Sequence, residues 1–69
     1  MTAKAILPEG YGYHAGQDFN RATVDHPVEI LEYRGPHAIF RFLDGFKPTY
    51  NVGGFDTFYC NASNLRTEA

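Results

Sequence analysis

The residues with the most unusual chemistry form a glycine- and tyrosine-rich stretch, Gly10-Tyr11-Gly12-Tyr13-His14-Ala15-Gly16. Its Gly-x-Gly-x-x-x-Gly spacing is not that of a dinucleotide-binding loop, and the Gly-Lys-Ser/Thr ending of a phosphate-binding loop is missing. Tyrosine is a rigid amphipathic group that is enriched where proteins bind one another. We therefore expect the stretch either to present Tyr11, Tyr13 and His14 to a partner or to pack its rings on the domain.

The residues that could form a catalytic or metal site do not have the spacing that such sites need. The four candidate zinc ligands lack the short ligand spacing of a structural site: His14, His26, His37 and Cys60. Ser63 lies in an expected turn, and Cys60 is most simply a small buried hydrophobe. Glu29 and Glu32 are expected on opposite faces of a strand unless a bulge intervenes. We predict no catalytic residue, no metal and no cofactor; an enzyme would need a site assembled across a homo-oligomer.

Length and composition indicate one small domain over residues 1–69. With one cysteine, no intramolecular disulfide is available, and the net charge is −2. No run approaches the roughly 20 apolar residues of a membrane span, and the N-terminus has no signal-peptide core. We therefore expect a soluble cytoplasmic protein with no membrane partner.

Nucleic-acid binding is the main alternative to protein binding. The basic residues are scattered and have acidic neighbours: Lys4, Arg21, Arg34, Arg41, Lys47 and Arg66. Without a basic stripe, the phosphate contribution that dominates nucleic-acid affinity is weak. Single-stranded bases could still stack on Tyr50, Phe55 or Tyr59.

The elements that must position these residues are short strands. β-Branched and aromatic runs between glycine and proline predict strands at Ala3–Leu7, Val28–Tyr33, His37–Leu43, Thr49–Val52, Phe55–Cys60 and Ser63–Arg66. Tight turns are expected at Gly35-Pro36, Asp44-Gly45 and Gly53-Gly54. The segment from Pro8 to about Thr23 is predicted to be a long irregular loop, with at most one helical turn near Gln17–Arg21.

Three runs together resemble the SH3-like small β-barrels, including KOW- and Tudor-type modules. They are Pro27–Leu31, Ala38–Gly45 and Phe58–Arg66, the last resembling a strand that passes through one helical turn into a short final strand. The resemblance implies an all-β, five- to six-stranded antiparallel barrel with one long N-terminal loop between its first two strands. The alternative architecture is a five-stranded meander against which that loop packs. It also admits an aromatic cage for a methylated lysine.

Apolar residues occupy both faces of the expected strands, more than one small interior can hold. In the strand His37–Leu43, Ala38 and Phe40 alternate with Ile39 and Arg41. Either the long loop covers the surplus, or the surplus forms an interface. We predict a non-catalytic protein-binding module, of a size typical of phage or plasmid inhibitors of host proteins. It could also self-associate as a homodimer. The predicted binding residues are Tyr11, Tyr13, His14, Tyr33, Ile39, Arg41 and Phe58.

Overall fold

The computed structural model describes residues 3–67, which form one antiparallel sheet of seven strands. The strands are β1 (Ala3–Leu7), β2 (Gly12–Ala15), β3 (Asp18–Arg21), β4 (His26–Arg34), β5 (His37–Phe42), β6 (Phe58–Asn61) and β7 (Arg66–Thr67). A single 3₁₀ turn, Ala62–Asn64, separates β6 from β7. The predicted all-β antiparallel class is confirmed, but the described residues form seven strands where five to six were predicted. The predicted domain also includes Met1, Thr2, Glu68 and Ala69, which lie outside the described residues.

The strands follow the order β3-β2-β6-β5-β4-β1-β7, so β1 lies between β4 and β7. Among residues 3–67 the two outermost strands, β3 and β7, do not pair with each other, and the sheet is not closed into a barrel. No helix in this part of the chain is long and apolar enough to cross a bilayer.

The longest hairpin, β4–β5, forms where the sequence predicts it. Gly35 has φ +56° at the first central position of the two-residue turn, which a residue without a Cβ adopts without strain. A register shift between Ile30 and Glu32 marks a bulge at Leu31. Beyond the bulge, Glu32 lies opposite Ile39 and Tyr33 lies opposite Ala38. The bulge therefore places Glu32 on the same face as Glu29, which lies opposite Arg41.

The predicted irregular loop from Pro8 to Thr23 is wrong, because it contains the β2–β3 hairpin. The predicted helical turn near Gln17–Arg21 is also wrong, because β3 occupies those residues. Gly16, with φ +65°, begins the two-residue connection between the strands. The four residues of β2 alternate between partial and full burial. An alternation over only four residues is too short to be recognised among so many glycines.

The predicted strand at Thr49–Val52 does not form. Of the predicted strand Phe55–Cys60, only the part from Phe58 is confirmed. Residues 43–57 are instead a loop, so neither Asp44-Gly45 nor Gly53-Gly54 joins two strands. Pro48 is buried and cannot donate to a ladder. The side chain of Asn51 bonds both backbone groups of Phe55, which competes with strand pairing.

The core lies on one face of the sheet and is dominated by aromatic rings. Tyr13 makes edge contacts with Phe40, Phe42 and Phe58, with ring centroids 5.4–6.1 Å apart. Each such pair contributes about 0.5–1.5 kcal/mol beyond area burial. The other buried apolar residues are Ala5, Leu7, Ala15, Ala22, Val28, Ile30, Ala38, Cys60 and Leu65.

Candidate protein-binding surface

A row of apolar and aromatic side chains crosses the outer face of the sheet. We call it the outer row, and it consists of Phe19, His14, Tyr59 and Ile39. His14 lies directly opposite both Phe19 and Tyr59, and Tyr59 lies opposite Ile39. Directly opposed side chains on neighbouring strands are in contact range. The row therefore spans four strands, about 14 Å at the usual strand spacing.

Ring stacking holds the outer row in a fixed arrangement. The His14 and Tyr59 rings are nearly parallel, 11° apart, with centroids separated by 5.1 Å. The Phe19 ring meets His14 edge-on at 5.2 Å and has the Arg21 guanidinium 5.7 Å from its centroid. The Tyr59 hydroxyl donates to the Gly16 carbonyl over 3.0 Å. The rings are thus held in place before any partner binds.

Gly12 provides the space in which the Phe19 ring lies. A Cβ at this position would overlap the Phe19 ring. The ring therefore lies close against the β2 backbone, and Phe19 remains 50% exposed. This close approach explains a glycine in the middle of the predicted binding stretch.

Charged residues border the outer row on the Ile39 side. Arg41 Nε donates to Glu29 Oε1 over 2.7 Å, and Arg34 Nε donates to Glu32 Oε2 over 2.9 Å. His37 approaches the Tyr59 ring edge-on at 5.8 Å. An apolar centre with a polar rim is the usual composition of a protein–protein interface.

Three of the predicted binding residues come together on this face. His14 and Ile39 meet through Tyr59, which the sequence-based set omitted. Arg41 lies two residues from Ile39 on the same side of β5, with its guanidinium bound to Glu29. Tyr59 could have been found by the same alternation, because Phe58 and Cys60 on either side of it face the core.

The remaining predicted residues lie elsewhere. Tyr13 is 1% exposed and Phe58 is 5% exposed, so neither contributes to the outer face of the sheet. Burial also raises the pKa of the Tyr13 hydroxyl. Because β2 is a strand, Tyr13 and its neighbour His14 point to opposite faces. Tyr33 is exposed, but it lies opposite the core residue Ala38 and leaves the sheet on the side away from Ile39. Tyr11 is half-exposed, just before β2.

A second exposed apolar feature lies on the loop of residues 43–57. We call it the tip, and it consists of Tyr50, Val52 and Phe55, which are 64%, 94% and 48% exposed. The sequence analysis predicted a strand at Thr49–Val52 and named Tyr50 and Phe55 only as possible base-stacking residues. The tip thus lies on a loop in a segment that was predicted to be a strand.

Side chains of β3 hold the first half of the tip. Asn20, which is buried, donates from Nδ2 to the Tyr50 carbonyl over 2.8 Å and accepts from the Tyr50 N–H over 3.0 Å. Asp18 Oδ2 accepts from the Val52 N–H over 2.8 Å. These side-chain bonds tie residues 50–52 to the edge strand β3 without forming a backbone ladder.

Asn51 and two glycines hold the second half. Asn51 bonds both the N–H and the carbonyl of Phe55, each over 2.9 Å. The Phe55 ring lies against Gly16 and Gly53, and a Cβ on either glycine would overlap it. The tip is therefore a fixed projection with a defined backbone.

The buried side chain of His26 contacts Asp44 near the start of the same loop. His26 is 3% exposed, and its Nδ1 lies 2.8 Å from Asp44 Oδ2, while Asp44 Oδ1 accepts from the Phe46 N–H over 3.1 Å. Burial alone would raise the pKa of Asp44. The hydrogen bonds from His26 and Phe46 and the charge interaction with His26 outweigh it, and the pKa lies below its usual value. The second ring nitrogen of His26 is buried and has no hydrogen-bond partner among residues 3–67.

The residues considered for chemistry are not assembled into one site. Among residues 3–67, no three side chains of His, Cys, Asp or Glu converge as a metal-binding group. Burial raises the pKa of the Cys60 thiol to about 11, so the thiol is protonated and unreactive at neutral pH.

No family model matches the chain, and neither the curated proteins nor the solved structures include a significant match. Its function is inferred from the surface features described above.

Proposed function

We propose that this chain is a non-catalytic protein-binding module that contacts its partner through the outer row. The observation that carries the proposal is a pre-formed row of Phe19, His14, Tyr59 and Ile39 that is left partly exposed beside a rim of ion pairs. Rigid aromatic groups lose little conformational entropy on binding. A surface of this kind suits recognition of another folded protein.

The architecture that we propose for the module is that of an SH3-like small barrel in an open form, in which β3 and β7 do not pair. Three features support it: β1 lies between β4 and the last strand, the β2–β3 hairpin fills the long connection between β1 and β4, and a single 3₁₀ turn precedes β7. By analogy of size and style with phage or plasmid products, we propose that the module inhibits a protein of a host cytoplasm.

The charge arrangement favours a protein over a nucleic acid as the partner. Arg34, Arg41 and Arg66 each lie within 4 Å of a carboxylate oxygen, at 2.9, 2.7 and 3.8 Å. Carboxylates that offset these charges weaken the attraction to phosphates. Stacking of bases on Tyr50, Phe55 or Tyr59 remains the alternative mode.

The test measures how much partner protein two lysine variants capture from a candidate host lysate. Ile39→Lys places a charge in the outer row, whereas Val24→Lys makes a similar change at an exposed apolar residue outside it. We expect wild-type protein and Val24→Lys to capture the same partner, and Ile39→Lys to reduce capture by about tenfold or more. Unfolding temperatures of both variants establish that they fold.

Capture that is equal for the two variants would contradict the proposal, and so would the absence of any captured protein. A parallel titration with a single-stranded oligonucleotide addresses the alternative. Binding that weakens steeply between 50 and 200 mM salt, roughly the range over which phosphate contacts are screened, would assign the surface to nucleic acid.

A further inference from the structure

The tip is an apolar projection that carries no charge. Residues 49–55 contain no Asp, Glu, Lys, Arg or His. Val52, at its end, is 94% exposed, and the backbone around it is fixed by the bonds from Asn20, Asp18 and Asn51. A pre-organised apolar group loses little entropy when it enters a pocket. The tip is thus suited to insertion into an apolar cavity.

Next to the tip lies a groove of about 600 Å³, between the end of β5 and the loop of residues 43–57. Its lining includes the rings of Phe42, Phe46 and Phe58, and Phe55 of the tip also lines it. The volume is within the range of clefts that hold an inserted group, roughly 300–1,000 Å³. One copy therefore carries both an apolar projection and a groove with aromatic and charged walls, side by side.

Adjacent complementary features favour a two-fold contact between identical chains. In an isologous dimer the same patch is used by both copies, so a residue that contacts a second residue is matched by the reciprocal contact. A two-fold axis beside Phe55 would place the Val52 of each copy at the groove of the other. Each tip then lies in the groove of the other copy.

The charges on the groove are complementary under the same symmetry. Arg41 lines the groove, but it is paired with Glu29. Lys47 and Asp56 also line it, and neither forms an ion pair with any residue in the range 3–67. One cation and one anion without partners on the same patch can pair reciprocally across a two-fold axis.

We propose that this chain forms a two-fold dimer in which Val52 of each copy enters the groove of the other and Lys47 of each copy pairs with Asp56 of the other. The contact uses residues outside the outer row, which stays free to bind a partner. Because each copy contributes only one loop and one groove, the dimer is a small, reversible interface.

Sedimentation equilibrium of the full chain over a range of concentrations tests the proposal. We expect a reversible monomer–dimer equilibrium for the wild type. Val52→Asp should raise the dissociation constant by about tenfold or more, because a carboxylate would be desolvated in the groove. Val24→Asp, at another exposed valine, should leave the dissociation constant unchanged. Since both side chains are exposed, neither change should disturb folding.

Charge reversal gives a second, independent test. Lys47→Glu alone and Asp56→Lys alone should each weaken the dimer several-fold, to about tenfold, through like-charge contacts across the axis. The double variant restores opposite charges and should recover most of the wild-type affinity. Recovery in the double variant cannot result from a general loss of folding.

A monomer at all concentrations would overturn the dimer, as would a dimer unaffected by Val52→Asp. A dimer that Ile39→Lys disrupts would place the contact on the outer row instead. If the wild type is monomeric and Val52→Asp removes binding to a single-stranded oligonucleotide or to phosphatidylcholine vesicles, the tip has that occupant and the dimer is wrong. Failure of the dimer leaves the partner-binding role of the outer row intact, since Ile39→Lys tests that role separately.

Discussion

The outer row and the tip both expose apolar side chains, but they are built by different means. Strand register places His14, Tyr59 and Ile39 opposite one another, so the backbone ladder positions the outer row. Polar side chains position the tip, because Asn20 and Asn51 bond the backbone of a loop that no strand pairs with. The row should therefore be lost only with the sheet, whereas single substitutions should loosen the tip.

The largest change in the free energy of unfolding is expected for Tyr13, which lies in the core behind the outer row. Tyr13→Ala removes a ring packed against Phe40, Phe42 and Phe58 and should destabilise the protein by about 3–5 kcal/mol, as buried aromatic truncations do. Tyr11→Ala, at a half-exposed tyrosine two residues away, is the matched control, with an expected change of about 0.5 kcal/mol or less. Denaturant unfolding measures both. Equal losses would mean that the core assignment of Tyr13 is wrong.

A smaller loss of stability is expected on substitution of Asn20. It should loosen the tip and leave the outer row intact. Asn20→Ala leaves the N–H and carbonyl of Tyr50 without their partners and should cost about 1–3 kcal/mol. Amide hydrogen exchange should then accelerate at residues 50–55 while the amides of β5 and β6 stay protected. His14→Ala, in the outer row, should not accelerate exchange in the loop. Uniform acceleration across the sheet after Asn20→Ala would show that the loop is not a separate unit.

The smallest effect is a pH dependence at the base of the loop. The folded pKa of Asp44 is below its usual value of 3.8, so its ionised form adds stability above that value. The contribution is lost as the pH falls through the lower folded pKa, because the unfolded chain binds the proton more readily. Unfolding followed from pH 6 to about pH 2 should show this loss for wild type and a weaker loss for Asp44→Asn. An identical pH dependence in the two proteins would rule out this role for Asp44.

The sequence was a good guide where strand and turn signals agreed. β1 forms over the predicted residues, and the strands predicted at Val28–Tyr33 and His37–Leu43 form the central hairpin, with Leu43 just outside β5. Ala38, Phe40 and Phe42 face the core, as their alternation requires. The predicted surplus of apolar residues is also present on the outer face, where Ile39 and Tyr59 meet. Whether a partner covers that face stays a prediction.

The sequence did not predict β2, because the alternation of buried residues in it is short and lies among several glycines. Between Gly10 and Gly16, only Tyr13 and Ala15 face the core, too few to distinguish a strand from a loop with exposed tyrosines. Tyr13 was therefore assigned to binding although it is buried. In the segment of residues 49–57, β-forming residues predicted strands, but long-range bonds from Asn20 and Asp18 hold a loop there.

Local patterning by itself determined the all-β class and the central hairpin, because the period of two and the turn at Gly35 are properties of neighbouring residues. The tertiary structure decided which tyrosines are buried and where the chain projects. Tyr13 becomes a core residue only when β2 pairs with β6, and Val52 projects only because Asp18, distant in sequence, holds its N–H. Contacts between distant segments carry that information, and no short stretch of sequence contains it.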